Sequence, residues 1–159
     1  MVVSKKIPRK SLPVVFLAAL VAALYQYYLP GDPGAAAPGR VPGGSSGNAS
    51  DAILDAAFRD RANDLQVHGD GTVVHVLPDD NKGSRHQRFL LETGSGLTLL
   101  VAHNIDLAPR IPNLERGDRV GFYGEYEWNE KGGVIHWTHH DPGGRHVDGW
   151  LERGGQRFE

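Results

Sequence analysis

The stretch Leu97-Thr98-Leu99-Leu100-Val101-Ala102-His103, with the broken segment after it and Glu115-Arg116-Gly117-Asp118-Arg119-Val120 beyond, decides the fold. The first seven residues are an apolar run of strand length that includes a β-branched residue. Residues 104–113 carry Pro109 and Pro112 and are too short and too interrupted for a long helix. Glu115-Arg116-Gly117-Asp118 then turns the chain into another strand.

Outward from this point the period is two on both sides. Upstream, Gly71-Thr72-Val73-Val74-His75-Val76-Leu77 is a strand ended by Pro78, and Gln87-Arg88-Phe89-Leu90-Leu91-Glu92 is a second. Thr93-Gly94-Ser95-Gly96 makes the hairpin turn into the third. Downstream, Val120, Phe122, Tyr126 and Trp128 share the inward face of a fourth strand, with Gly124 leaving a gap. Asn129-Glu130-Lys131-Gly132-Gly133 is a turn, and residues 134–138 form a fifth strand. Five short strands with a break after the third match the order of an OB-fold, a partly open Greek-key barrel. The expected fold class is therefore mainly β: a five-stranded OB-fold-like barrel over residues 51–159.

The chain ahead of the barrel divides into four pieces. Residues 1–10 form a basic tail containing Lys5, Lys6, Arg9 and Lys10. Residues 11–29 read as a transmembrane anchor: positions 12–29 carry no charge, and eighteen helical residues span about 27 Å against a hydrocarbon core of roughly 30 Å. The basic flank places the N-terminus in the cytoplasm and exports the rest. A cleaved signal peptide with a secreted product is the alternative. Residues 30–50 are rich in proline and glycine and poor in large apolar groups, a flexible tether. From Ser50-Asp51, Leu54, Phe58, Ala62 and Leu65 form one apolar stripe on a helix of about 14 residues, with Phe58 its expected core anchor.

Composition narrows the chemistry. With no cysteine there is no disulfide, thiolate site or cysteine nucleophile. A net charge of −2 supplies no basic field for nucleic acid, which stays a possible partner that the charge does not favour. No nucleophile elbow, phosphate-binding loop or dinucleotide fingerprint is present.

Four motifs carry a resemblance. They are Leu77-Pro78-Asp79-Asp80-Asn81-Lys82-Gly83-Ser84-Arg85-His86-Gln87-Arg88-Phe89, Ala102-His103-Asn104-Ile105-Asp106-Leu107-Ala108-Pro109-Arg110, Gly124-Glu125-Tyr126-Glu127-Trp128-Asn129, and His136-Trp137-Thr138-His139-His140-Asp141-Pro142. Together the chain resembles, from about Leu54 to Phe158, a bacterial family of small exported proteins known only as a domain of unknown function. The resemblance implies a bacterial origin and an exported domain, and no activity.

Two groups of residues are candidates for function. The loops after the first and fourth strands flank the binding face of an OB-fold, which makes Arg85, His86, Arg88, Tyr123, Trp128 and Trp137 candidate ligand contacts. Residues 132–146 hold four of the eight histidines. His103, His136, His139, His140, Asp141 and His146 are the candidate ligands for a divalent metal, zinc or manganese. Strand parity sends His136 and His139 to opposite faces, so they can meet only if the chain turns at Thr138. Otherwise these side chains hold loop backbone in place.

Asp79, Asp80, Asn81 and Lys82 extend the first group as a possible cation or phosphate loop, and Arg110 is expected to be a salt-bridge partner. The leading expectation is a membrane-tethered extracytoplasmic (periplasmic) binding module, with enzyme activity left open and not favoured. The alternatives are a metal-dependent hydrolase or nuclease using the histidine cluster, and a structural or assembly protein of the cell envelope.

Overall fold

The computed structural model describes residues 49–159, and the anchor, tail and most of the tether lie outside the described residues. No helix among the described residues is long and apolar enough to cross a membrane.

Helix α1 (Ala49–Asp60) comes first. It ends where Arg61 takes a left-handed conformation, φ 54°, so it is shorter than the apolar stripe predicted, and Leu65 opens a strand instead. Leu54 is fully buried and Ala57 nearly so, whereas Phe58 is only half-buried. The core anchors are therefore Leu54 and Ala57. Ser95 Oγ donates to Asp55 Oδ1 at 2.8 Å, which ties the helix to the first hairpin.

Seven strands follow: β1 (Leu65–Asp80), β2 (His86–Thr93), β3 (Thr98–Asn104), β4 (Arg119–Glu127), β5 (Val134–His136), β6 (Trp150–Arg153) and β7 (Gln156–Phe158). All belong to one sheet, ordered β1-β2-β3-β5-β4-β6-β7, and β1 also pairs with β4. The five strands β1, β2, β3, β5 and β4 thus form a closed ring. Strand β1 closes it by changing partners along its length: residues 65–72 pair with β4 and residues 71–80 with β2. This long strand begins six residues before the one expected. The hairpin β6–β7 was not expected at all, and it pairs through β6 with β4.

Alternation assigns the faces. Val120, Phe122 and Tyr126 of β4 point into the ring, with Val73, Phe89, Leu91, Leu99, Val101 and Ile135 from the other strands. Leu151 and Phe158 of the C-terminal hairpin complete this core. Trp128 lies past the end of β4 and packs against the core from its rim. The connection after β3 has no helix; it inserts Ile111, 1% exposed, between the strands. Gln87 clamps Ile111 in both directions, its amide nitrogen donating to the carbonyl and its amide oxygen accepting from the N–H, each at 2.9 Å.

The turn into β5 depends on Gly133, at φ 107°. A Cβ there would lie 2.2 Å from the Tyr126 ring. The absence of a side chain lets that ring stay fully buried while its hydroxyl donates to the Gly132 carbonyl at 3.0 Å. Burial pushes the Tyr126 phenol up to about 12.

Candidate functional site

Toward the C-terminal end of β4 the outward residues are Tyr123, Glu125 and Glu127. Register places Glu125 opposite Gln66 of β1 on one side and opposite His136 of β5 on the other. A row of three polar side chains therefore crosses the outer face of the sheet. Glu127 extends it by one pleat along β4.

Strand β5 stops at His136 because Trp137 adopts φ 51°, an uncommon conformation for a bulky residue. The chain thus turns one residue before Thr138, where a meeting of His136 and His139 required it. Residues 137–149 then loop back to β4, where Trp150 pairs with Tyr123. The loop is held from inside. Asp141 accepts from the backbone N–H groups of Gly143, Arg145 and His146 at 2.8, 2.7 and 3.0 Å. These bonds, led by that from Arg145, hold its carboxyl down to about 2. Asp148 accepts from the Asp141 N–H at 2.9 Å and pairs with His140 at 2.8 Å.

The loop delivers His146 to the row. Its ring stacks on Trp137, centroids 3.6 Å apart and 14° from parallel. Its Nδ1 lies 3.5 Å from Glu125 Oε2, while His136 Nε2 lies 3.4 Å from Glu125 Oε1. Glu125, Glu127 and His136 each offer a ligand atom within 4.8 Å of the others. Glu127 Oε1 accepts from the Asp64 N–H at 3.2 Å, which orients its carboxylate. Burial, ahead of the neighbouring Asp64 and Glu125 carboxylates, raises the Glu127 carboxyl.

His136 is 8% exposed, and its Nε2 is buried with no hydrogen-bond partner. Burial, then the nearby His146 and His86 rings, lowers it to about 4. It is a neutral imidazole at neutral pH even beside Glu125. Gln66 Nε2, across the strand, is also buried without a partner. Most buried polar atoms in folded proteins are hydrogen-bonded, so two orphans in one cross-strand row mark this face.

The six metal candidates divide. Only His136 and His146 reach the acidic pair. His103 is fully buried between Thr138 Oγ1 at 2.8 Å and the Pro109 carbonyl at 3.1 Å. A carbonyl only accepts, so Nε2 carries the proton and the Thr138 hydroxyl donates to Nδ1. His139 Nδ1 donates to the His140 carbonyl at 2.7 Å. His140 and Asp141 are engaged within the loop, as given above. The six therefore do not converge: an interior face, an exterior face and a turn separate them.

The predicted ligand contacts are also dispersed. Arg85 pairs with Asp106 at 2.7 Å on the surface, and buried Arg88 donates twice to the Pro78 carbonyl. Asp79 pairs with Arg110, and Asp80 accepts from the Lys82 N–H. His86 is half-buried with Nδ1 unpartnered. Trp128 lies under the Arg61 guanidinium, 5.0 Å away, and Tyr123 meets Trp150 at 6.3 Å. Trp137 alone of this group belongs to the site, as the platform for His146.

Sequence reasoning missed Glu125, Glu127 and Gln66. The signal was present for the two glutamates: in Gly124-Glu125-Tyr126-Glu127, an inward Tyr126 forces both to the other face.

No curated protein sequence matches the chain. The family model described as protein of unknown function (DUF3465) matches residues 43–159. The chain belongs to that family.

Proposed function

We propose that this chain is a membrane-tethered, extracytoplasmic binding module with an OB-fold-like barrel, whose ligand presents a cationic group to the outer face of β4 and β5. The ring order β1-β2-β3-β5-β4, closed on β1, supports the OB-like reading. The observation that carries the binding site is the buried, unpartnered His136 Nε2 beside Glu125 and Glu127. A neutral imidazole with an uncommitted nitrogen and two carboxylates attract a positive group and repel phosphate. The uncharged stretch at residues 12–29 supports the tether, and the basic residues before it support the orientation.

The test has two parts. An alkaline phosphatase fused after Glu159 is expected to be active in bacterial cells, and an inactive fusion would overturn the extracytoplasmic placement. The full chain in detergent is titrated with tetralysine, a chitosan tetramer and a dodecamer of deoxythymidine, following tryptophan emission. A cationic probe is expected to saturate in the wild type and to weaken in Glu125→Gln. Saturable binding of the oligonucleotide that falls steeply with salt would overturn the reading, as would silence of every probe, metal ions included.

The grouping of Glu125, Glu127 and His136 favours a second reading, a metal-dependent hydrolase or nuclease, because three protein ligands leave a position for water. It ranks second because the acids that would act as base are occupied. Asp141 holds three backbone N–H groups, and Asp79 holds Arg110.

A further inference from the structure

We propose that Glu125, Glu127 and His136 are the ligands of one divalent transition-metal ion, of the zinc or manganese class, with His146 positioning Glu125 from the loop. This rests on the reading of the β4–β5 outer face as a binding site and specifies its occupant.

The separation of His136 and Glu125 fits an ion between them better than a direct bond. Two ligands each about 2.0–2.1 Å from a tetrahedral zinc lie roughly 3.4 Å apart. His136 Nε2 and Glu125 Oε1 are separated by 3.4 Å, and Nε2 forms no hydrogen bond at that distance. An imidazole and a carboxylate in direct contact would close to about 2.7–2.9 Å if the pair were ionic.

His136 Nε2 is buried and makes no hydrogen bond, which leaves a ring nitrogen to ligate an ion. The ligand chemistry selects the class of ion. One imidazole with two carboxylates suits zinc or manganese, whereas calcium takes six to eight oxygens and magnesium keeps most of its waters.

The surrounding contacts have the character of outer-shell support. The Asp64 N–H orients Glu127. His146 Nδ1 lies 3.5 Å from Glu125 Oε2, and its own ring is fixed by stacking on Trp137. Gln66 lies opposite Glu125 across the strand pair, its amide nitrogen buried without a partner. The ligands come from two adjacent paired strands, so the site is part of the sheet.

The experiment uses the untagged full chain in detergent, stripped with chelator and titrated with zinc, manganese, cobalt, calcium and magnesium chlorides by calorimetry. One equivalent of zinc or manganese is expected, with cobalt giving visible d–d absorption. Affinity is expected to fall at least about tenfold in His136→Ala and in Glu127→Gln. His140→Ala, which alters the exposed pair with Asp148, should bind as the wild type does. The isosteric Glu127→Gln decides the matter if His136→Ala fails to fold. Absence of binding, unchanged binding in both ligand variants, equal loss in His140→Ala, or a preference for calcium or magnesium would each overturn the metal assignment. If tetralysine binds and no metal does, the metal assignment fails while the cation-binding face stands.

Discussion

At the scale of single residues, the buried histidines set how the fold responds to acid. His103 is lowered from 6.5 to about 4, chiefly by burial. In the unfolded chain it takes a proton near 6.5, and in the fold it stays neutral until about 4. Its contribution to stability is therefore complete above 6.5 and is lost progressively as pH falls from 6.5 to about 4. By the ordinary conversion this amounts to roughly 3 kcal/mol. Chemical denaturation at pH 7, 5.5 and 4 should show the decline, and His103→Gln should reduce it while the similarly lowered His136 keeps part of it. Thr138→Val leaves His103 Nδ1 buried and unpaired, which is expected to cost about 1–3 kcal/mol at pH 7.

At the scale of elements, glycines and short loops determine where strands stop. Gly133→Ala places a methyl group against the Tyr126 ring and a side chain at positive φ. A loss of roughly 2–4 kcal/mol in urea denaturation is expected. Tyr126→Phe, which removes only the hydroxyl bond to Gly132, should cost about 1 kcal/mol. In the loop 137–149, Asp141→Ala removes the acceptor for three backbone N–H groups. Amide exchange at Gly143, Arg145 and His146 should accelerate in that variant while β2 and β3 stay protected.

Much of this level was legible in the sequence, and the exceptions have causes. The inward set Val120, Phe122 and Tyr126, and the hairpin at residues 93–96, follow from period two and turn composition. The N-terminal half of β1 gives a weak strand signal, because glycine and aspartate, here Gly69, Asp70 and Gly71, are poor strand formers. Two of them are close-packed, a Cβ at Gly69 lying 2.9 Å from Phe122 and one at Gly71 lying 2.5 Å from the Glu92 carbonyl. Of the histidine cluster, only His136 and His146 approach a common carboxylate, that of Glu125. Parity separates His136 from His139, but which carboxylates face His136 depends on the β4–β5 register. No property of residues 132–146 alone encodes that pairing.

At the scale of the whole molecule, the C-terminal hairpin is part of the core. Leu151 is fully buried and Phe158 4% exposed. Burying such side chains contributes roughly 1.5–3 kcal/mol each. Strands of four and three residues around Gly154-Gly155 give little periodic signal, which is why the sequence did not disclose them. A chain truncated after Gly149 is expected to lose cooperative thermal unfolding, measured by circular dichroism. A sharp transition within a few degrees of the full chain would show the ring to be self-sufficient.

The double pairing of β1 has a consequence for how this domain meets other chains. Strand β4 is bordered by β1 along one side and by β5 and β6 along the other. Among the described residues, the outer end of the sheet is β7, only three residues long. An unpaired strand is a template on which a foreign strand can crystallise, and a long one invites runaway association. Strand β1 keeps such an edge over residues 74–80, where β2 alone pairs with it. Another chain could pair by backbone along that stretch, whereas β4, bordered on both sides, can be met only through its side chains.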